Sequence, residues 1–336
     1  MPPREPRAIL PTHEVTNQPP PIGDRNLFDD DPVLAAGLER EGAGWAKKDV
    51  RAFGALAGSE HVMELADLAN RFPPELRSFD RYGQRIDEVE FHPAYHELME
   101  LAITHKLPSL AWTAKRKGGH VAHVALSYLL NQVEGGVMCP VAMTYAVVPA
   151  LRNQPELAAE WEPRLQSGIY DRRSLPASEK KGATMGMFMT EKQGGSDVRT
   201  NSTRAAALGQ GGPGGEYELT GHKWFCSAPM SDAFLTLAYT DDGLSCFLVP
   251  RWKPDGTRNA LYIQRVKDKL GNRSNASSEI ELLGTWGRMV GEEGRGVRTI
   301  IDMVQHTRLY CALGSAAMMR QGLTQALHHT AHRSAF

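Results

Sequence analysis

The stretch MGMFMTEKQGGSD, residues 185–197, decides how the rest of this chain is read. Its opening run of Met185, Met187, Phe188 and Met189 is apolar and has the length of a buried strand. The run stops at Thr190-Glu191, turns through Gly194-Gly195 and ends on Ser196-Asp197. A strand that opens into a glycine turn flanked by hydroxyls brings backbone N–H groups close to a ligand. Further on, Trp224-Phe225-Cys226-Ser227 again joins aromatic residues to a hydroxyl. On residue types alone a plainer reading stays open, in which the hydroxyls form turns and the Trp-Phe pair belongs to a core.

Before this stretch the pattern is helical. Val33, Leu34 and Leu38, then Val50, Phe53 and Leu56, recur at three- and four-residue spacings. Residues 61–69 (HVMELADLA) are periodic and end at Pro73-Pro74. Residues 75–91 are charged and irregular, with Asp80 and Gly83 as turn formers, and are expected to run over the surface. Helices resume at Pro93, at Val121 and over 137–151, the last bounded by Pro140 and Pro149. The first half therefore reads as all-helical.

Near Gly182 the period changes to two. Strands are expected at 217–219, 223–225, 234–239, 245–249, 261–266 and 279–283, a set suited to a compact barrel or sandwich. GQGGPGG (209–215) invites a phosphate-loop reading, but no Lys-Ser/Thr ending follows, so a hairpin connection is expected. After Gly294 one long helix is expected, with Val297, Ile300, Ile301, Val304, Arg308, Cys311, Ala312 and Ser315 on its packed face. Such a helix needs partners, and the chain reads as ending before they arrive. The expected divisions are 1–180 (arm and helical domain), 181–290 (β-domain) and 291–336 (start of a C-terminal helical domain).

The bulk numbers exclude several classes. A chain of 336 residues with 41% hydrophobic and 23% charged residues is an ordinary globular composition. A net charge of −1 leaves no overall electrostatic footprint for nucleic acid. Cys139, Cys226, Cys246 and Cys311 are far apart, which argues against a disulfide framework or a zinc site and for a reducing compartment. No run reaches the length of a membrane span. The proline-rich start MPPREPRAILPTHEVTNQPPP has no apolar core of a secretory signal, so an extended arm or a tail in a cytoplasmic protein is expected. His92 and His96 stand at i, i+4, a spacing zinc sites use, but Pro93 marks them as a helix start. His328, His329 and His332 read as a solvated or interface face, so no metal is expected.

Four elements in one order carry a family resemblance. Thr190-Glu191-Lys192-Gln193-Gly194-Gly195-Ser196-Asp197 is similar to the T-E-x-x-x-G-S-D turn of the acyl-CoA dehydrogenase family. Lys223 to Ser227 resembles its K-x-W-[IF]-[TS] element, with Ala228 where Asn is usual. Leu270 to Ser277 resembles its G-x-[RK]-x-S hairpin, and Thr307-Arg308-Leu309 to Leu313-Gly314 its E-R-x-x-x-A-x-x-x-G helix. Arg333 and Phe336 resemble the start of its R-x-x-F-G element. Within the family, THEVTNQPPP, LEREGAGW, GHKWF and KDKLGNRSNAS look most like the AidB branch of alkylation-response flavoproteins.

The resemblance implies an α+β multidomain fold: a helical domain, a β-barrel or sandwich domain carrying the flavin elements, and the start of a helical bundle. It implies FAD, held by Met187, Phe188, Met189, Thr190, Gly195, Ser196, Phe225, Cys226 and Ser227. In this scheme the Met187–Thr190 backbone and the Thr190 hydroxyl face the pyrimidine edge, and Ser196 the phosphate side. Phe225 covers the ring, and Ser227 bonds near N5. The implied reaction is α,β-dehydrogenation of an acyl-CoA, in which a glutamate takes the α-proton. In one branch that glutamate occupies the place of Thr307, and in the other it lies in a later helix, so the catalytic residues stay unassigned. The resemblance also implies a homotetramer and a role in protecting DNA from alkylating agents. Double-stranded DNA would bind through a C-terminal region outside this chain, and weak activity on an isovaleryl-CoA-like or alkylating small molecule would accompany it. The alternative is an ordinary metabolic acyl-CoA dehydrogenase with no DNA role.

Overall fold

The computed structural model describes residues 6–336. Two short strands, β1 (Ile9–Leu10) and β2 (His13–Glu14), pair near its start and are exposed. The arm that follows lies on its own chain. Asn17 exchanges two hydrogen bonds with the Ser334 backbone, each 2.8 Å, and His328 bonds the Pro20 carbonyl. Residues 1–5 of the expected arm lie outside the described residues.

Helices α1 (Pro32–Arg40), α2 (Lys47–Ala57), α3 (Glu60–Arg71), α4 (Pro93–Thr104) and α5 (Leu110–Thr113) precede α6 (Gly119–Asn131), α7 (Met138–Leu151) and α8 (Pro155–Leu165). Local chemistry sets their starts. The Asp31 carboxylate accepts from Leu34 N and the Ser59 hydroxyl from Val62 N, satisfying N–H groups that a first turn leaves unpaired. The centre of this half is α7, in which every residue except Cys139 and Pro149 is buried. A helix apolar all round belongs in a core. Pro149 sits inside α7 rather than bounding it.

The first half is not wholly helical. Residues 75–91 do not wander over the surface: β3 (Glu75–Phe79) and β4 (Arg85–Glu90) form an antiparallel hairpin. Charged side chains hide its alternation, since Leu76 and Val89 pack inward while Arg77 and Glu90 pair outside at 2.6 Å. The Asp80 carboxylate closes the turn by accepting from Tyr82 N and Gln84 N.

The β-domain comprises β5 (Met185–Phe188), β6 (Arg204–Ala207), β7 (Glu216–Ser227), β8 (Ala233–Thr240), β9 (Gly243–Pro250), β10 (Leu261–Val266) and β11 (Ser277–Met289). Pairing runs β11–β7–β6–β8, and β9 joins β8 to β11, which closes a ring with β10 and β5 at its margins. The barrel alternative of the sequence reading is the one found. Phe188, Leu219, Cys226, Phe234 and Phe247 fill its interior. Met185, Leu235 and Leu237 face the other way, into the helical core. Residues 209–215 join β6 to β7, and the Tyr217 hydroxyl accepts from Gly212 N.

The final helix, α9 (Gly296–His332), spans 37 residues. Its buried residues include Ile300, Met303, Val304, Tyr310, Leu313, Gly314 and Ala317. Of the eight positions expected on its packed face only Ile300 and Val304 are buried, and Cys311, Ala312 and Ser315 are exposed. Small residues allow close approach here, with Gly314 set against Asn131. No helix among the described residues is long and apolar enough to cross a membrane.

Candidate functional site

The glycine-turn segment, 185–197, and the aromatic–hydroxyl segment, 224–227, are joined by an ion pair to which the family motifs assign no role. Glu191 lies within the first segment and Lys223 immediately precedes the second, and their side chains meet at 2.9 Å, both fully buried. The carboxylate also accepts from Ser202 N and Oγ, from Thr203 N and Oγ1, and from Gln193 Nε2. The ammonium donates to the Leu237 carbonyl at 2.8 Å. Burial opposes the Glu191 charge, but Lys223 and these donors outweigh it and hold the carboxyl below its usual range. Burial also pulls the Lys223 ammonium down, against the attraction of Glu191. Two bonds from backbone N–H groups complete the seam: Trp224 N donates to the Thr190 carbonyl, and Lys192 N to the His222 side chain at Nε2.

Strand alternation sorts the expected residues. On β7, Phe225 is 53% exposed and Ser227 half-buried, while Cys226 between them points into the barrel. On β5, Phe188 is buried and stacks on Phe234 at 3.9 Å between centroids, whereas Met187 and Met189 pack against the helical core. Phe188 and Cys226 can therefore reach a ligand only through their backbone. The carbonyls of Phe188, Met189 and Thr190 accept from Thr236 Oγ1, Asn201 Nδ2 and Trp224 N. A ligand along this edge is left with donors and the Thr190 side chain. Gly195 is needed there, because a Cβ would come within 2.4 Å of Thr190 Oγ1. Ser196 is exposed, and Asp197 caps the turn after it by accepting from Arg199 N. Lys267 stands 4.6 Å from the Phe225 ring centre and 3.6 Å from that of Trp224, held by Glu279 at 2.7 Å.

The third element closes one side. Ser277 Oγ lies 3.4 Å from Ser227 Oγ and receives Lys269 Nζ at 3.3 Å. Asn275 is 1% exposed, and neither atom of its amide has a hydrogen-bond partner. A buried amide with a free donor and a free acceptor suits a ligand edge that alternates the two, as a flavin pyrimidine does. With the free face of Phe225, the Thr190 hydroxyl and the Gly195 turn, the residues present fit a flavin. On α9 the Thr307 hydroxyl donates to the Val304 carbonyl of its own helix, Arg308 is exposed and Gly314 is buried. The histidines separate: His92 caps α4 through Ala94 N, and His96 bonds the Tyr170 hydroxyl at 2.8 Å.

Comparison with known proteins bears on the family and the fold. A family model of the adaptive response protein AidB N-terminal domain matches residues 17–172, and one of the acyl-CoA dehydrogenase middle domain matches residues 186–284. The chain belongs to the acyl-CoA dehydrogenase family, and its helical part is of the AidB kind. It is 48% identical over 327 residues to the putative acyl-CoA dehydrogenase AidB of Escherichia coli, covering 97% of this chain and 60% of that protein. It is 30% identical over 333 residues to acyl-CoA dehydrogenase family member 11 of Caenorhabditis elegans, covering 93% of this chain and 52% of that protein. The chain thus spans between half and two-thirds of the length of these curated relatives. The crystal structure of Caenorhabditis elegans ACDH-11 in complex with C11-CoA superposes with a TM-score of 0.85 at 29% identity, covering 99% of this chain and 57% of that one.

Proposed function

We propose that this chain presents the flavin-binding face of an AidB-type acyl-CoA dehydrogenase-like protein with FAD as cofactor. The observation that carries this reading is the buried Glu191–Lys223 pair, which sets Thr190 and Ser196 in fixed register with Phe225 and Ser227. In this arrangement Phe225 would support one face of the ring system, and Thr190 would bind its polar edge. Ser227 donates near N5, and Ser196 and the Gly194-Gly195 turn meet the phosphates. When bound, FAD would supply a hydride acceptor.

Residues of this chain bind and orient. Thr307 has no group able to take an α-proton, so the matched residues hold the flavin and leave proton removal unassigned. The substrate class in this reading is an acyl-CoA thioester, as in the ACDH-11 complex. The reading includes a cytoplasmic homotetramer with a part in the adaptive response, supported by the AidB likeness. DNA contact would lie outside residues 1–336, whose net charge is −1.

Reconstitution tests it. Purified chain incubated with FAD and desalted is expected to stay yellow, with quenched flavin fluorescence. A colourless protein that takes up no FAD would overturn the reading. The same preparation is expected to leave double-stranded DNA unshifted at physiological salt, and a shift there would sink the placement of DNA contact elsewhere.

A further inference from the structure

A cavity of about 530 Å³ contains none of the flavin-facing residues Thr190, Gly195, Ser196, Phe225 and Ser227. It opens where the β3–β4 hairpin, α4 and the connector at 170–174 meet the start of β5 and residues 228–231. Its volume falls within the range of small-molecule sites.

Its walls are apolar and aromatic. Phe91 stacks on Tyr95 at 4.1 Å, and Met99 and Met230 complete the lining. His96 meets Phe91 edge-on, and its bond to Tyr170 fixes both rings. Its acids are neutralised by cations: Glu88 pairs with Arg258, Glu90 with Arg77 and Asp171 with Arg173. Lys180 is likewise spent on Asp232. That leaves Arg172 as the lining charge without an ion-pair partner among the described residues. A second observation is independent of charge. Ser231 lines the cavity, is 3% exposed, and its buried hydroxyl has no hydrogen-bond partner. Buried hydroxyls are normally bonded, so an orphan on a cavity wall marks a place for a ligand atom.

We propose that this cavity binds an amphiphilic monocarboxylate whose ring-bearing body lies against Phe91, Tyr95, Met99 and Met230. The carboxylate meets the Arg172 guanidinium at the mouth, and Ser231 bonds a polar atom of the body. The proposal does not depend on the flavin reading.

The test is calorimetric titration of the full chain with 2-naphthoate, with neutral 2-naphthylmethanol as the paired probe. Saturable 1:1 binding of 2-naphthoate is expected, and the alcohol should bind about tenfold more weakly, the loss set by a single charge-assisted contact. Arg172→Gln is expected to erase that preference, and Met99→Trp to abolish binding by filling the cavity. Ser231→Ala, which removes one oxygen and keeps the fold if Met99→Trp does not, is expected to weaken binding severalfold. Phe225→Ala should leave it unchanged, which separates this site from the flavin face. No binding of 2-naphthoate, or equal binding by wild type and Arg172→Gln, would overturn the proposal.

Discussion

Glu191 and Lys223 form a fully buried ion pair at 2.9 Å that fastens the glycine turn to the aromatic strand. Removing one partner of such a pair leaves the other buried and uncompensated, a cost of about 3–5 kcal/mol. Lys223→Met is expected to lose stability on this scale in denaturant unfolding. The double variant Glu191→Leu/Lys223→Met should recover much of the loss, because replacing both charges by apolar groups is often close to neutral. If both variants matched wild type, the pair would not be the fastening described.

The face of the sheet that each residue occupies predicts opposite behaviour for two members of the implied flavin set. Phe188 is buried and stacked on Phe234, so Phe188→Ala should cost about 3–5 kcal/mol of stability. Phe225 is 53% exposed, so Phe225→Ala should leave unfolding nearly unchanged and instead weaken FAD retention about tenfold, roughly one lost aromatic contact. Thermal unfolding and flavin fluorescence titration read the two effects separately. Equal destabilisation by both substitutions would show that Phe225 is core.

His123 supplies a pH dependence unrelated to the flavin. It is buried against Tyr145 at 4.0 Å, donates Nδ1–H to the Leu107 carbonyl at 2.6 Å, and has no partner for Nε2. Burial lowers its pKa to about 3, against the Leu107 bond, and the nearby His120 and His306 push in the same downward direction. The unfolded chain takes up that proton near pH 6.5, while the folded chain stays neutral until about 3. Stability should therefore fall as pH drops through this window, by up to about 1.4 kcal/mol per unit from this group. His123→Phe loses the Leu107 bond but should flatten that part of the curve, and urea unfolding from pH 7 to 4 measures it. An unchanged slope in the variant would remove His123 as the cause.

These features differ in how far the sequence exposed them. The strand, glycine turn and aromatic–hydroxyl cluster were legible because Gly194-Gly195 and the Phe225/Ser227 alternation are chemical requirements visible in residue types. The Glu191–Lys223 pair was not, because a charged letter in a sequence does not say whether its side chain is buried. The β3–β4 hairpin escaped because its outward charges, among them Arg77 and Glu90, swamp an alternation carried by Leu76 and Val89 alone. On α9 the helix itself was clear but its packed face was not. Leu309, Met318, Met319, Leu323 and Leu327 form further apolar positions that are exposed, so hydropathy could not rank the surfaces. Close packing at Gly314 and Ala317 decided the outcome.

Glu134 anchors the third element to the helical half, and its removal should be felt there. Its Oε1 accepts from Ser274 Oγ at 2.6 Å and from Asn70 Nδ2, and Oε2 accepts from Val137 N at 2.7 Å. It is 2% exposed, so no water replaces a lost partner. Glu134→Gln must turn an NH₂ towards one of these donors, which leaves a buried group unsatisfied at a cost of about 1–3 kcal/mol. The loss should be local as well as global: amide exchange across 270–277 is expected to quicken more than exchange in the β8–β9 pair. Gly136→Ala probes the same joint from the other side, because its Cβ would fall 1.7 Å from Ser274 Oγ and expel that hydroxyl from the carboxylate. Both variants should loosen the loop that leads into Ser277, the neighbour of Ser227, and so weaken FAD retention, although neither Glu134 nor Gly136 is assigned a flavin contact. Unchanged exchange at 270–277 in both would mean that the loop holds its shape without the Glu134 joint.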